Sequence, residues 1–363
     1  MSRRLMEGSE AIAEAMVAAG CRFFAGYPMT PFTELLENMA RLLPEVGGTC
    51  MNAESELEAV GMVWGAAATG TRAATGSVGQ GLSLMQESLS ELCFARLPVV
   101  VFNMARGQGD YFQSTRGGGH GDYRHIVLAP SDIQEAVALT QLAFHLADTW
   151  RNPVLVLGDY YLAHVRESVD TAPIDLGPLP EKDWAITGAT GGSGHATVLS
   201  PISTFKTDDP DPEGYGGHLA RIVPHVRSMA EGVERRIEVL GTDDAELVVV
   251  AFGTPARYLR YVVQNLRQEG LPIGFLRPIT LWPFPSQELA EAVGNARSVA
   301  VFELNSGQMI DDVRLSVLGA KPVEFIGGIR LDRYGFGISP SLDVDGLSEL
   351  LRSTLERSRE AVA

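Results

Sequence analysis

Cysteine is scarce in this chain. Only Cys21, Cys50 and Cys93 occur in 363 residues, and none forms a Cys-x-x-Cys pair. Three thiols leave no disulfide framework and no iron–sulfur cluster held by four thiolates of this chain. They read as reduced core or near-core residues; Cys50, four residues before Glu54, is also a candidate to line a site. Basic charge is short too: 29 Lys and Arg against 45 Asp and Glu, a net charge of −16. That argues against nucleic acid, whose phosphates call for Lys and Arg, and suits solubility. No apolar run approaches the ~20 residues of a membrane span, and "MSRRLMEGSEAIAEAM" lacks the apolar core and cleavage site of a signal peptide. A cytoplasmic location is expected. Walker, Gly-x-Ser-x-Gly and strand-linked Gly-x-Gly-x-x-Gly motifs are missing, and "GSVGQG" fails the dinucleotide spacing. The stretch "TRGGGHGDYRH", with Arg116, His120, Arg124 and His125, has no metal-ligand spacing.

What is present is an alternation. Hydrophobic content is 45% and charged content 20%, a globular balance, and the length suits two domains. Short apolar runs such as "RFFAG", "PVVVFNM" and "PVLVLGD" alternate with amphipathic stretches such as "PFTELLENMARLL" and "ESELEAVGMVWGAAATG". Strand–helix alternation predicts an α/β fold with a parallel sheet and helices on both faces. Thr30 reads as an N-cap with Pro31 at the first helical position, and Ser131 to Gln134 as a capping box. The pattern breaks over 167–244, where "KTDDPDPEGYGGH" is rich in Gly, Pro and Asp. This region reads as a connection carrying a mobile acidic loop, centred on 206–217. Alternation resumes over 245–363, giving a second α/β domain after the first, 1–166.

Ligands of open α/β sheets bind at the carboxyl ends of the strands. Three loops fall there. Thr30 sits at a helix start, a place for helix capping and equally for an anionic ligand group. Glu54 and Glu56 open the next helix, either complementing its dipole or serving as a carboxyl group with a raised pKa. Arg106, after a central strand and before a glycine-rich loop, suits a carboxylate or phosphate clamp.

Taken together, "GYPMTP", "AESELEAVGMVWGAA", "QGDYFQSTRGGGHGDYR", "RNPVLVLGD", "LRPITLWPFP" and "ELNSGQMIDDVR" resemble one family. It is the alpha subunit of thiamine-diphosphate-dependent 2-oxoacid:ferredoxin oxidoreductases, closest to the 2-oxoisovalerate (3-methyl-2-oxobutanoate) branch. The resemblance spans residues 5–328. It implies a pyrimidine-binding thiamine diphosphate domain followed by a transketolase C-terminal-like domain. It also implies oxidative decarboxylation of a 2-oxoacid with coenzyme A, the electrons passing to ferredoxin. Glu56 matches the glutamate that bonds N1′ of the aminopyrimidine, with Glu54 the runner-up. Tyr27, Pro28 and Gly79 fall beside the cofactor. Thr30 matches a substrate contact, and Arg106 the partner of the substrate carboxylate. A beta subunit is implied to hold the diphosphate and Mg²⁺, alongside gamma and ferredoxin-like delta subunits and iron–sulfur clusters in the partners. This chain has "GDY" at Gly109, Gly121 and Gly158 but no Gly-Asp-Gly, in keeping with such a split, so the chain alone should be inactive. Two departures stand out. Only Gly107 separates Arg106 from Gln108, a shorter loop than usual. Phe32 replaces a usual Ser or Gln, and its ring could line an apolar substrate pocket. Both keep an aryl-2-oxoacid (phenylglyoxylate or indolepyruvate type) open as substrate. A non-catalytic scaffold subunit is the third reading.

Overall fold

The computed structural model describes residues 3–188, 214–331, 337–338 and 342–360. Much of the acidic stretch expected to form a mobile loop, 206–213, lies outside the described residues.

The first unit comprises β1 (Arg4–Glu7), α1 (Gly8–Ala18), β2 (Phe23–Gly26), α2 (Thr33–Leu42), β3 (Thr49–Asn52), α3 (Glu56–Ala68), β4 (Ala73–Ser77), α4 (Gly79–Phe94) and β5 (Val99–Ala105). It continues with α5 (Tyr111–Thr115), β6 (Ile126–Leu128), α6 (Ile133–Trp150), β7 (Val154–Asp159), α7 (Tyr160–His164) and β8 (Arg166–Val169). Strands β4, β5 and β7 are buried along their whole length, which is why they read as apolar runs without alternation. They form the centre of a sheet ordered β6-β7-β5-β4-β2-β3, with every pairing in that run parallel. Helices α1, α2 and α6 cover one face and α3 and α4 the other. A short antiparallel ribbon of β1 and β8 stands outside the sheet.

A second unit follows α8 (Gly214–Gly232). It contains β9 (Ile237–Leu240), β10 (Leu247–Val250), α9 (Gly253–Gln268), β11 (Ile273–Pro278), β12 (Thr280–Trp282), α10 (Ser286–Ala292), β13 (Ser298–Val301), α11 (Met309–Val317), β14 (Val323–Phe325) and α12 (Val344–Glu360). Its sheet is ordered β14-β13-β10-β11-β9, parallel except for β9. Thus β9, from the stretch expected as a connection, is a sheet strand. Strand β12 leaves this unit altogether. It pairs antiparallel with β6, Thr280 opposite Leu128, and becomes the edge of the first sheet. One apolar core runs on from the α3/α4 face of the first sheet to the α10/α11 face of the second.

Helix starts follow side-chain chemistry, with two corrections. Ser55 caps α3, its hydroxyl accepting from Glu58 N–H at 3.3 Å. The cap of α6 is Asp132 rather than Ser131. Its carboxylate accepts from Glu135 N–H at 2.8 Å, and the Glu135 carboxylate reaches back to Ser131 N–H at 2.8 Å. The reciprocal box therefore sits one residue downstream, where a charged acceptor and a glutamate stand three apart. Helix α2 starts at Thr33, with Phe32 in the cap position and no side-chain cap. Thr30 belongs to the preceding turn, closed by Phe32 N–H on the Met29 carbonyl at 2.7 Å.

Candidate active site

Strands β3, β2, β4 and β5 are consecutive neighbours and parallel, so their carboxyl ends open on one edge. Thr30 follows β2, Glu56 follows β3, Gly79 follows β4 and Arg106 follows β5. Residues spread over the first third of the chain thus meet along one rim.

Glu56 is the first residue of α3 and only 3% exposed. The Ser77 hydroxyl, at the end of β4, donates to Glu56 Oε1 at 2.8 Å. Gly81, in the first turn of α4, makes room for this pair, because a Cβ there would overlap both the Ser77 hydroxyl and the Glu56 carboxylate. A buried carboxylate fixed through one oxygen keeps the other for a ligand. Glu54 is exposed, and its backbone N–H bonds Glu58 Oε2 at 2.9 Å. Burial separates two glutamates that spacing could not.

Arg106 and Thr30 come together: Arg106 Nε donates to the Thr30 carbonyl at 3.1 Å. Both are exposed at the rim. Tyr27 is half-buried and Pro28 exposed in the turn before them.

Gly79 heads α4, and Asp110 occupies the side where a Cβ would stand, 2.5 Å from Oδ1. Asp110 also accepts from Asn103 Nδ2 at 3.1 Å and Gln113 Nε2 at 2.7 Å. Asn103 Oδ1, near the end of β5, is buried without a partner among the described residues. Sequence reasoning missed Ser77, Asn103, Asp110 and Gln113. Asp110 and Gln113 carried a signal, both inside "QGDYFQ".

Other candidates do not reach the rim. Phe32 is fully buried, its ring between β2 and β4: a Cβ on Gly26 or Gly76 would lie 2.9 or 2.6 Å from it, and Phe24 stacks with centroids 6.0 Å apart. It is a core residue and lines no substrate pocket; of the two glycines that admit it, Gly26 is close in sequence and Gly76 is distant. Cys50 points at the Leu36 carbonyl of α2, and burial pushes its thiol up to about 11. It is a neutral packing residue. His125 Nε2 lies 2.5 Å from the Ser114 carbonyl, and His120 contacts Ser90 and Glu91. Arg116 lies over the Phe112 ring and bonds Asp312 at 3.2 Å. Arg124 is exposed and bonds its neighbour's carbonyl.

The thiamine-diphosphate-binding region of pyruvate flavodoxin/ferredoxin oxidoreductases matches residues 14–185, and core domain II of pyruvate:ferredoxin oxidoreductase matches 245–333. Ketoisovalerate oxidoreductase subunit VorB of Methanothermobacter thermautotrophicus is 39% identical over 337 residues, 90% of this chain and 93% of that protein. The chain belongs to the thiamine-diphosphate-dependent 2-oxoacid:ferredoxin oxidoreductase family. Within it, 2-oxoglutarate synthase subunit KorA of Methanocaldococcus jannaschii is 37% identical over 362 residues, 92% of this chain and 96% of that protein. Among solved structures, 2-oxoglutarate:ferredoxin oxidoreductase from Magnetococcus marinus superposes with a TM-score of 0.81 at 24% identity. It covers 98% of this chain, which spans 65% of that chain, and it shows the shared fold. The α/β architecture of two packed units is the family's own.

Proposed function

We propose that this chain supplies the aminopyrimidine half of a thiamine diphosphate site in an oxidoreductase that decarboxylates a 2-oxoacid. The observation that carries this reading is the buried Glu56 carboxylate, held by Ser77 beside the Arg106–Thr30 pair. The donor set fits the cofactor: a buried carboxyl group suits a ring nitrogen, and Ala59 and Val60, which follow it on α3, are buried too. Thiamine diphosphate, when bound, supplies the electron sink for the carbanion left by CO₂ loss. Glu56 holds a proton at the aminopyrimidine nitrogen, and Ser77 keeps the carboxyl group oriented for it. Arg106, with its always-charged fork, receives the substrate carboxylate. Thr30 orients the carbonyl end through its hydroxyl.

The relatives' names, ketoisovalerate oxidoreductase and 2-oxoglutarate synthase, support a 2-oxoacid substrate, and the first supports a branched-chain one. The aryl alternative drew on Phe32 and loses that support with the ring in the core. Coenzyme A is the proposed acyl acceptor and ferredoxin the electron acceptor. A beta subunit is proposed to bring the diphosphate and Mg²⁺ site, and further subunits the iron–sulfur clusters, in a cytoplasmic complex.

The test is 2-oxoacid-dependent viologen reduction by the chain assembled with its partner subunits. 3-Methyl-2-oxobutanoate should give the highest kcat/KM in a panel of aliphatic and aryl 2-oxoacids. Glu56→Gln should lower turnover ~10²–10⁴-fold without loss of assembly. Near-normal turnover in Glu56→Gln would overturn the role given to it.

A further inference from the structure

The opposite edge of the first sheet holds a cluster that the proposed reaction does not use. Strands β5 and β7 are hydrogen-bonded neighbours with Val100 opposite Val154. Arg96 and Arg151 stand just ahead of them, each ending the preceding helix, α4 or α6, in the left-handed region (φ 54° and 49°). That position ordinarily favours glycine. Helix α8 lies across both helix ends. Ile222 packs with Cys93 and Phe94, and the His225 ring lies 6.4 Å from the Trp150 ring. Two arginines and a histidine therefore converge from three helices.

One nitrogen of each has no acceptor among the described residues: Arg96 Nε, Arg151 Nε and His225 Nε2 are all buried and without a hydrogen-bond partner there. Two acids on these helices are engaged elsewhere. Asp148 is taken by Arg72 at 2.7 Å and Lys182 at 2.8 Å, and Glu91 by His120 at 3.1 Å. Asp183, exposed, is the acid that acts on Arg151. Trp184 holds the Arg151 guanidinium 4.6 Å above its ring, which orients the fork without neutralising it. Burial and the two neighbouring cations push His225 down to about 4, and burial and Arg96 push Arg151 down to about 10. In a chain with 16 more acidic than basic side chains, a cationic cluster this poor in counter-charge is set for an anion from outside.

We propose that Arg96, Arg151 and His225 form a binding site for a phosphate group at the amino edge of the first sheet. Fork-shaped guanidinium groups and an imidazole N–H match the several acceptor oxygens of phosphate. The site stands a full strand length, ~20 Å, from the rim that carries Glu56, so its occupant is not the reacting substrate. Free phosphate and the phosphate of a nucleotide share this chemistry.

The test follows the His225 ring proton by NMR in the full chain, titrating pH in sodium phosphate and in sodium chloride of equal ionic strength. Phosphate should raise the proton affinity of His225 at least tenfold, because a bound anion relieves the repulsion of two cations. Arg96→Gln/Arg151→Gln should abolish that difference. AMP taking the place of phosphate at lower concentration would identify a nucleotide as the source, and equal or weaker binding would identify free phosphate. Superimposable wild-type titrations in phosphate and chloride would overturn the proposal, and this comparison needs no variant. So would a phosphate effect that persists in the double variant. Neither result bears on the reaction assigned to the Glu56 rim.

Discussion

Glu54 and Glu56 carry the same carboxyl group two residues apart and end in opposite environments. One looks to solvent, and the other is sealed between α3 and α4 with Ser77 on one oxygen. What decides is the side of the helix start each occupies, together with Gly81 one strand and helix later. The sequence offers the glutamates; the glycine that admits one of them is non-local and cannot be paired by eye. Phe32 lies in the core for a related reason, since the distant Gly76 makes room for its ring together with the nearby Gly26. His125 gives a prediction at this scale. Burial pushes it down to about 4, with the Ser114 carbonyl only partly opposing. The unfolded chain then binds a proton that the folded chain refuses. Stability is full above the ordinary histidine pKa, near 6.5, and is lost as pH falls towards 4. The loss should reach ~3 kcal/mol across that window. Urea unfolding at pH 7 and pH 5 checks it: His125→Phe should show a clearly shallower fall, and an unchanged slope would show that burial of this ring is not what costs stability.

At the scale of elements, the buried strands and capped helices are legible because their signals are local: apolar runs for β5 and β7, Ser55 and Asp132 at helix starts. The loop after β5 is different, because the second unit shapes it. Gln108 is buried, its amide donating to the Phe252 carbonyl at 2.9 Å and accepting from Leu304 N–H at 2.8 Å. Asn305 Nδ2 bonds the Gln108 carbonyl at 2.9 Å, and Gln308 reaches Phe112 N–H and the Gly109 carbonyl, both at 2.8 Å. Glu303, fully buried, braces that side by accepting from Asn305 Nδ2 and from Met309 and Ile310 N–H. Arg106 is the residue from which this pinned loop departs. The shortness of the loop, visible in sequence, acquires its reason here: Gln108 reaches the second unit three residues after β5 ends at Ala105. Gln108→Ala would strand a buried N–H and a buried carbonyl, each worth ~1–3 kcal/mol. Unfolding free energy should fall by ~2–4 kcal/mol, and the KM for the 2-oxoacid should rise more than kcat falls. A variant as stable as wild type with unaltered KM would separate the loop's anchorage from Arg106 placement.

For the molecule as a whole, the join between units is where sequence reading reached least, since it rests on pairings between distant segments. Strand β11 belongs to the second sheet and β12, two residues later, to the first. At the crossing stands Arg277, 5% exposed. Its guanidinium bonds Glu135 of α6 at 2.7 and 2.9 Å and Glu238 of β9 at 2.8 Å. One buried cation thus ties the first unit to the second. Burial alone would raise Glu135, but the bonds from Arg277 and Ser131 outweigh it and hold the carboxyl group below the ordinary glutamate range. The sign follows: a depressed carboxyl pKa contributes stability above its unfolded value, and that stability is lost as pH falls through the folded value. The join should therefore weaken below about pH 4.5, the ordinary glutamate value, beyond most of the window in which His125 acts. Glu135→Gln should cost ~3–5 kcal/mol at pH 7, because it leaves Arg277 buried with one counter-charge instead of two. The same variant should lose less stability than wild type on further acidification. Denaturant unfolding at pH 7, 4.5 and 3.5 reads both effects. A Glu135→Gln chain that matches wild type at pH 7, or falls as steeply in acid, would mean that β12 pairing and the shared apolar core hold the units together without this ion pair.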